Sequence, residues 1–206
     1  MSSIITHLYL ANYIKNEFNF SDKFLTGSVL PDILRISGKP RDLTHYIKEI
    51  KEEDKTFKLP DLKKYASKNP DLLKNEIKLG YFAHLIQDRI WFKNFIPIFT
   101  DCECNNNDIT YRDGSIHSFD KYLKDIYSDY SLLDRNLIKK FNFNDNFKKK
   151  IIKNSPNENL IKILNENISL HELVNPDLTL IKEIEMEKYL EIAKRETKYI
   201  LNSLLK

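Results

Sequence analysis

The residues with the clearest chemical potential lie in the stretch Gly80-Tyr81-Phe82-Ala83-His84-Leu85-Ile86-Gln87-Asp88-Arg89-Ile90-Trp91-Phe92. His84 and Asp88 are four positions apart, so on a helix they stand one turn above the other on a common stripe. Ile77, Trp91 and Phe95 share that stripe, which therefore reads as covered. A carboxylate buried there costs several kcal/mol unless a cation compensates it. A protonated His84 is one such cation, and a divalent metal held by both side chains is another. For a single pair the plainer reading, a buried His–Asp hydrogen bond that specifies packing, is the commoner one.

Further candidates sit in similar settings. His7 shares a predicted helix face with Leu10, Ala11, Ile14 and Phe18, where a lone histidine is more often a satisfied core residue than a ligand. Asp32 follows Pro31 inside an apolar run, and the proline predicts a break or kink at Leu30. Asp32 is then either the N-cap of a short helix or an inward-pointing ligand. His45 is delivered by the loop 37–41 in Thr44-His45-Tyr46. His117 and Asp120 are three apart on what reads as the start of a helix. Asp120 there also suits the helix dipole. Together His7, Asp32, His45, His84, Asp88, His117 and Asp120 form a donor set suited to zinc or a similar divalent ion. Such an ion would relieve the repulsion between buried carboxylates. His171 has no evident partner and reads as structural or exposed.

The elements that must position these residues read as helices. Four glycines and seven prolines in 206 residues leave little material for turns, and the apolar spacing is helical through most segments. The expected class is all-α, a single-domain multi-helix bundle over 1–206. Its metal-site helices would occupy about 1–130, followed by a helical extension over about 131–206. A central buried helix over about 71–96 carries His84 and Asp88. Other helices are expected from the first serines to about 17, from Leu59-Pro60-Asp61-Leu62, from about 115 to 130, over 132–141 and 145–153, after Pro156, and from about 178 to 205. The charged stretch 47–57 reads as exposed. The polar segment 101–111 is the longest loop candidate, and within it Cys102 and Cys104 read as loop residues.

Charge is balanced, with 33 basic and 30 acidic residues and a net of +3, which argues against a strong nucleic-acid footprint. The run Lys148-Lys149-Lys150 reads as a solvated helix face. No signal peptide and no bilayer-length apolar run is visible, so a cytoplasmic location is expected.

In the order Thr6-His7-Leu8-Tyr9, Gly27-Ser28-Val29-Leu30-Pro31-Asp32, Thr44-His45-Tyr46 and Gly80-Tyr81-Phe82-Ala83-His84-Leu85-Ile86-Gln87-Asp88, the chain resembles the zinc-dependent phospholipase C family. That all-helical fold is shared with fungal zinc nucleases. The likeness covers about the first half and continues more weakly to His117. It implies that Asp32, His45, His84 and Asp88 hold one ion and that Asp88 bridges to a second ion also held by His7. His117, with Asp120 or Lys121, corresponds to the third ion's pair. The chain departs from the family pattern at Asn94, where a histidine is expected, and at Lys121, where a carboxylate is expected. The expectation is a site for two Zn2+ ions, with the third position weak, absent or rebuilt.

Such a site implies a metal-dependent phosphoester hydrolase, with water attacking phosphorus and Asp32 orienting or deprotonating it. The substrate would be a small phosphoester or a phospholipid headgroup. Arg35, Arg89 and Arg112 are candidate phosphate partners, and Tyr81 and Tyr111 candidate pocket walls. Trp91 suits plain core packing better. The alternative is a non-catalytic helical protein with a vestigial or structural metal site. An HD-type phosphohydrolase fits less well, because no adjacent His-Asp pair occurs.

Overall fold

The computed structural model describes residues 3–52, 55–101, 108–154, 160, 162, 164, 165 and 178–206. His171, Cys102, Cys104 and most of the helix expected after Pro156 lie outside them. The architecture is predominantly helical, with two small antiparallel sheets. Helix α1 (Ile4–Phe18) starts at Ser3, whose hydroxyl accepts from the Thr6 N–H at 3.0 Å, and ends at Asn19 in the left-handed region (φ 55°). It buries Ile5, Leu8, Leu10, Ala11 and Ile14.

Helices α2 (Asp22–Ile36) and α5 (Glu76–Ile90) form the centre. They run parallel and touch backbone to backbone. A Cβ on Gly27 would collide with the main chain of Ile77, and one on Gly80 with the carbonyl of Phe24. Side chains lean toward a helix N-terminus, so each glycine meeting the turn preceding its counterpart requires parallel axes. Glycine is needed at both positions because no other residue lets the backbones approach this closely. This register sets Ser28 beside His84 and Asp32 level with Asp88.

Pro31 does not break α2. Its missing N–H removes one bond to the Gly27 carbonyl, but burial of Phe24, Leu25, Val29, Leu30 and Ile33 holds the helix on both sides. Asp32 is therefore a mid-helix residue rather than a cap. The sequence-expected central helix is also divided. A 3-10 turn (Leu72–Lys74) precedes α5, and after Ile90 the chain widens into a π-turn (Trp91–Phe95) and then a 3-10 turn (Ile96–Ile98). Trp91 is buried edge-on against Tyr189 and Tyr130, as core packing predicts.

The short helix α3 (Arg41–Thr44) delivers His45 at its C-terminus. Strands β1 (Ile47–Glu52) and β2 (Lys55–Pro60) then pair antiparallel, with Ile50 opposite Phe57. Pro60 closes β2, and α4 (Leu62–Lys68) is capped by Asp61. A second sheet, β3 (Thr100–Asp101), β4 (Asp108–Tyr111) and β5 (Ile116–Ser118), leads into α6 (Phe119–Phe141), one unbroken helix where two were expected. His117 is thus on a strand. Helices α7 (Asp145–Ile152) and α8 (Glu183–Leu205) follow. The chain entering α8 is tethered by buried Asp129, which accepts from the N–H groups of Thr179, Leu180 and Ile181 at 2.7–2.8 Å. Among the described residues no helix is long and apolar enough to cross a membrane.

Buried Asp134 of α6 accepts from the Ser3 hydroxyl at 2.5 Å, joining α6 to the start of α1. Burial pushes its carboxyl up to about 7. A raised folded-state value means that Asp134's contribution is fully present below the unfolded pKa, about 4, and is lost as pH rises through about 7. Asp134→Asn should remove that loss, stabilising the protein at pH 8 by on the order of 3–4 kcal/mol while changing little at pH 4. Urea denaturation at the two pH values measures it, and equal effects at both would contradict the assignment.

Candidate metal centre

Five of the seven sequence-derived ligands come together. His7 from α1, Asp32 from α2, His45 after α3, and His84 and Asp88 from α5 are all 0–2% exposed. His7 Nε2 is 3.3 Å from Asp88 Oδ1. His45 Nε2 is 3.6 Å, and His84 Nε2 3.7 Å, from Asp88 Oδ2. His45 Nε2 is also 3.4 Å from Asp32 Oδ1 and 3.3 Å from His84 Nε2. The His7 and His84 rings stack with centroids 3.7 Å apart.

The outward nitrogens fix which atoms face the centre. His84 Nδ1 is 2.8 Å from the Ser28 carbonyl, an acceptor only, so Nδ1 carries the hydrogen and Nε2 presents a lone pair. That carbonyl lies in the turn disturbed by Pro31, where a helix readily turns a carbonyl outward. His45 Nδ1 is 2.8 Å from Thr44 Oγ1, whose own hydrogen points to the Arg41 carbonyl at 3.3 Å. His45 Nε2 thus faces the cluster, toward Asp32, Asp88 and His84. The 3.3 Å between His45 Nε2 and His84 Nε2 is also the separation of two nitrogens held by one tetrahedral ion.

Tyr46 reinforces the placement of His45. It adopts a left-handed conformation (φ 53°), uncommon for a large side chain. Its ring packs edge-on against Tyr65, and its carbonyl accepts from the Asp61 N–H at 2.9 Å. The Tyr81 hydroxyl donates to the Thr44 carbonyl. Tyr81 thus braces α3.

Electrostatics point the same way. Burial works against ionisation of both aspartates, but attraction to the neighbouring histidines wins. Asp32 is held at about 2, with His45 its main partner, and Asp88 well below the usual range, with His7 its main partner. Burial, assisted by the charge of His7, lowers His84 to about 3 and keeps it neutral. His7 goes the other way: burial lowers it, yet Asp88 and Gln87 together raise it. A metal ion must displace that proton from Nε2, so acid competes with metal at His7. The oxygens of Asp88 and Oδ1 of Asp32 are buried without a hydrogen-bond donor, a costly arrangement for carboxylates.

These residues fit a metal. Two donors on one tetrahedral zinc at about 2.0–2.1 Å are themselves about 3.3–3.4 Å apart. The contacts of 3.3–3.7 Å from His45 Nε2 to His84 Nε2, Asp32 Oδ1 and Asp88 Oδ2, and from His84 Nε2 to Asp88 Oδ2, are close to that spacing. They exceed the roughly 2.7–2.9 Å of charge-assisted hydrogen bonds. The second oxygen of Asp88 faces His7 instead, so the carboxylate is divided between two sides. His45, His84 and Asp88 offer atoms that all lie within 4.8 Å of one another, and so do His7, Asp32 and His84.

The remaining candidates are placed elsewhere. His117 bonds Ser115 Oγ through Nε2 at 2.8 Å and packs on Tyr111. Asp120 is exposed on the first turn of α6, and Lys121 pairs with Asp125 at 2.7 Å. Among the described residues neither His117 nor Asp120 belongs to a group of three potential ligands. Asn94 is exposed.

Sequence reading missed Gln87, whose Oε1 accepts from His7 Nδ1 at 2.7 Å. The signal was available, since Gln87 is polar, immediately precedes Asp88 and lies in an apolar helix. Outer partners of ligand histidines typically contribute 10–100-fold to metal affinity. Gln87→Leu should lower zinc affinity by about that factor without unfolding the protein, as a chelator competition would show.

Compared with family models, with curated proteins and with solved structures, the chain matches none.

Proposed function

We propose that the chain is a metal-dependent phosphoester hydrolase. Support comes from the convergence of three histidine Nε2 atoms on two ionised aspartates. The family resemblance in the sequence order of these five residues points the same way. The observation that carries the metal is the meeting of His45 Nε2, His84 Nε2 and Asp88 Oδ2 at 3.3–3.7 Å from one another. Asp32, His45, His84 and Asp88 would hold one zinc-type ion, and His7 with the other oxygen of Asp88 a second. When bound, such ions supply Lewis acidity that lowers the pKa of water and offsets charge on phosphoryl oxygens.

The chain's own groups divide the remaining work. Asp32, held ionised, is an acceptor able to orient water. The bonds to Ser28, Gln87 and Thr44 fix the three imidazoles, so little reorganisation is needed on binding. The His7 side has fewer protein ligands than a closed structural site requires, and that side is where substrate or water completes the set. A small phosphoester in the cytoplasm is the substrate class this reading favours.

The near-complete burial of all five ligands favours a second reading, a metal-stabilised core without turnover. Elemental analysis of untagged protein, followed by a screen of phosphomonoesters and phosphodiesters, separates the two. Close to two zinc-type ions with hydrolysis supports the enzyme, whereas retained metal with no hydrolysis of any ester supports the core. No metal, and no stabilisation on adding zinc, would remove both.

A further inference from the structure

We infer that Arg35 and Arg41 form an anion subsite for the phosphate group, beside the five-residue cluster and selective for a dianionic phosphomonoester. The inference rests on the hydrolase reading for its biological use but on separate atoms for its evidence. Nε of Arg35, and Nε and Nη2 of Arg41, are buried without a hydrogen-bond partner. Other guanidinium groups are engaged. Arg89 donates to the Pro60 carbonyl at 3.2 Å, and Arg112 is paired with Glu185 at 2.6 Å. Of the three arginines first considered as phosphate partners, only Arg35 shows an orphaned buried donor. Arg41 adds two.

Helix geometry puts Arg35 on the cluster-bearing face of α2, and Arg41 packs on the ring that follows Asp88 by one turn. Arg35 follows Asp32 by three residues on α2, and Phe92 follows Asp88 by four beyond the end of α5. At these spacings Arg35 shares a helix face with Asp32, and Phe92 shares one with Asp88. Because α2 and α5 are parallel, Arg35 and Phe92 occupy the same layer, one turn past the aspartates. Arg41 joins that layer from α3, with its guanidinium carbon 4.7 Å from the centroid of the Phe92 ring. Both arginines are only half-buried, so this layer lies between the closed cluster and solvent.

A guanidinium fork matches phosphate oxygens bidentately, and orphaned N–H donors are satisfied when it does so. Two fixed positive charges favour the dianion of a monoester over the monoanion of a diester.

Calorimetric titration with methyl phosphate and dimethyl phosphate tests this on the full chain, with zinc content measured on each sample. Methyl phosphate should bind at least about 10-fold more tightly than dimethyl phosphate. Arg41→Gln and Arg35→Gln should each weaken it about 10-fold or more with zinc content and thermal midpoint unchanged. Arg41→Lys, which keeps the charge but not the fork, should fall between. Equal binding of methyl phosphate by wild type and both Gln variants, or no binding by wild type, overturns the subsite. If zinc is retained and esters are hydrolysed in that case, the hydrolase reading stands without it. If no zinc is retained, the hydrolase reading fails, while the same titration still decides the arginines.

Discussion

Asp88→Asn should empty the site. The substitution keeps size and shape, but it replaces two anionic oxygens by one neutral oxygen and an N–H donor. Both oxygens are in use: Oδ1 faces His7 at 3.3 Å, while Oδ2 faces His45 and His84 at 3.6 and 3.7 Å. An asparagine can accept on one side only, and its amide hydrogens would point at an imidazole lone pair or an ion on the other. Outer partners alone contribute about 10–100-fold, so loss of a shared inner carboxylate should weaken metal binding by more than about 100-fold. Phosphoester hydrolysis should fall to background with it. Metal content by elemental analysis and turnover on the same preparation measure both, and wild-type values for either would defeat the assignment of Asp88 as a bridge. The protein should still fold, since the α2–α5 contact does not depend on this carboxylate.

Gly80→Ala should do the opposite, damaging the scaffold first and the site as a consequence. A methyl group at residue 80 meets the Phe24 carbonyl and the Ser28 nitrogen, both main-chain atoms inside a helix, and neither can rotate away. Overpacking of flexible cores costs about 1–3 kcal/mol, and a rigid backbone contact belongs at or above the top of that range. A loss of at least about 3 kcal/mol is expected, a large share of the roughly 5–15 kcal/mol typical of a whole domain. Urea denaturation with excess chelator isolates this from metal loss. Gly27→Ala should act similarly, because its methyl would meet the Ile77 main chain. Once either methyl has forced the helices apart, the second costs less, so the double variant should fall short of additivity. A change below about 1 kcal/mol for Gly80→Ala would mean that α2 and α5 are not packed as closely as described.

Particular residues show what the sequence made legible. His84 and Asp88 were readable because helical spacing alone puts them on one stripe. Their partnership with His7, Asp32 and His45 was readable only from the joint pattern, since no periodicity links residues on separate elements. Pro31 misled locally: its own preference is to break a helix, and buried neighbours on both sides outweighed it. The hairpin β1–β2 was hidden because Lys48, Glu49, Lys51 and Lys58 dilute the alternation that marks a strand. The join across α6 was hidden for a related reason. The polar stretch near Ser131 looks like a break, yet Leu133, Asp134 and Leu137 continue the inward face. Arg41 was invisible because what distinguishes it is the lack of a hydrogen-bond partner for its buried Nε and Nη2, which only a folded chain reveals.

The tether at Asp129 also bears on the order in which the protein is completed. It holds Leu180 and Ile181 so that α8 can lie against α1 and α5, with the Tyr189 hydroxyl donating to the Gln87 carbonyl at 3.4 Å. Those two residues are 102 positions apart. During synthesis the ligand-bearing helices therefore leave the ribosome well before the helix that packs behind them. Contacts this distant in sequence form slowly, because their loop-closure entropy must be met first. A nascent chain can gather His7, Asp32, His45, His84 and Asp88 while one side of α5 is still wet. Metal acquired in that interval would be sealed in when α8 docks.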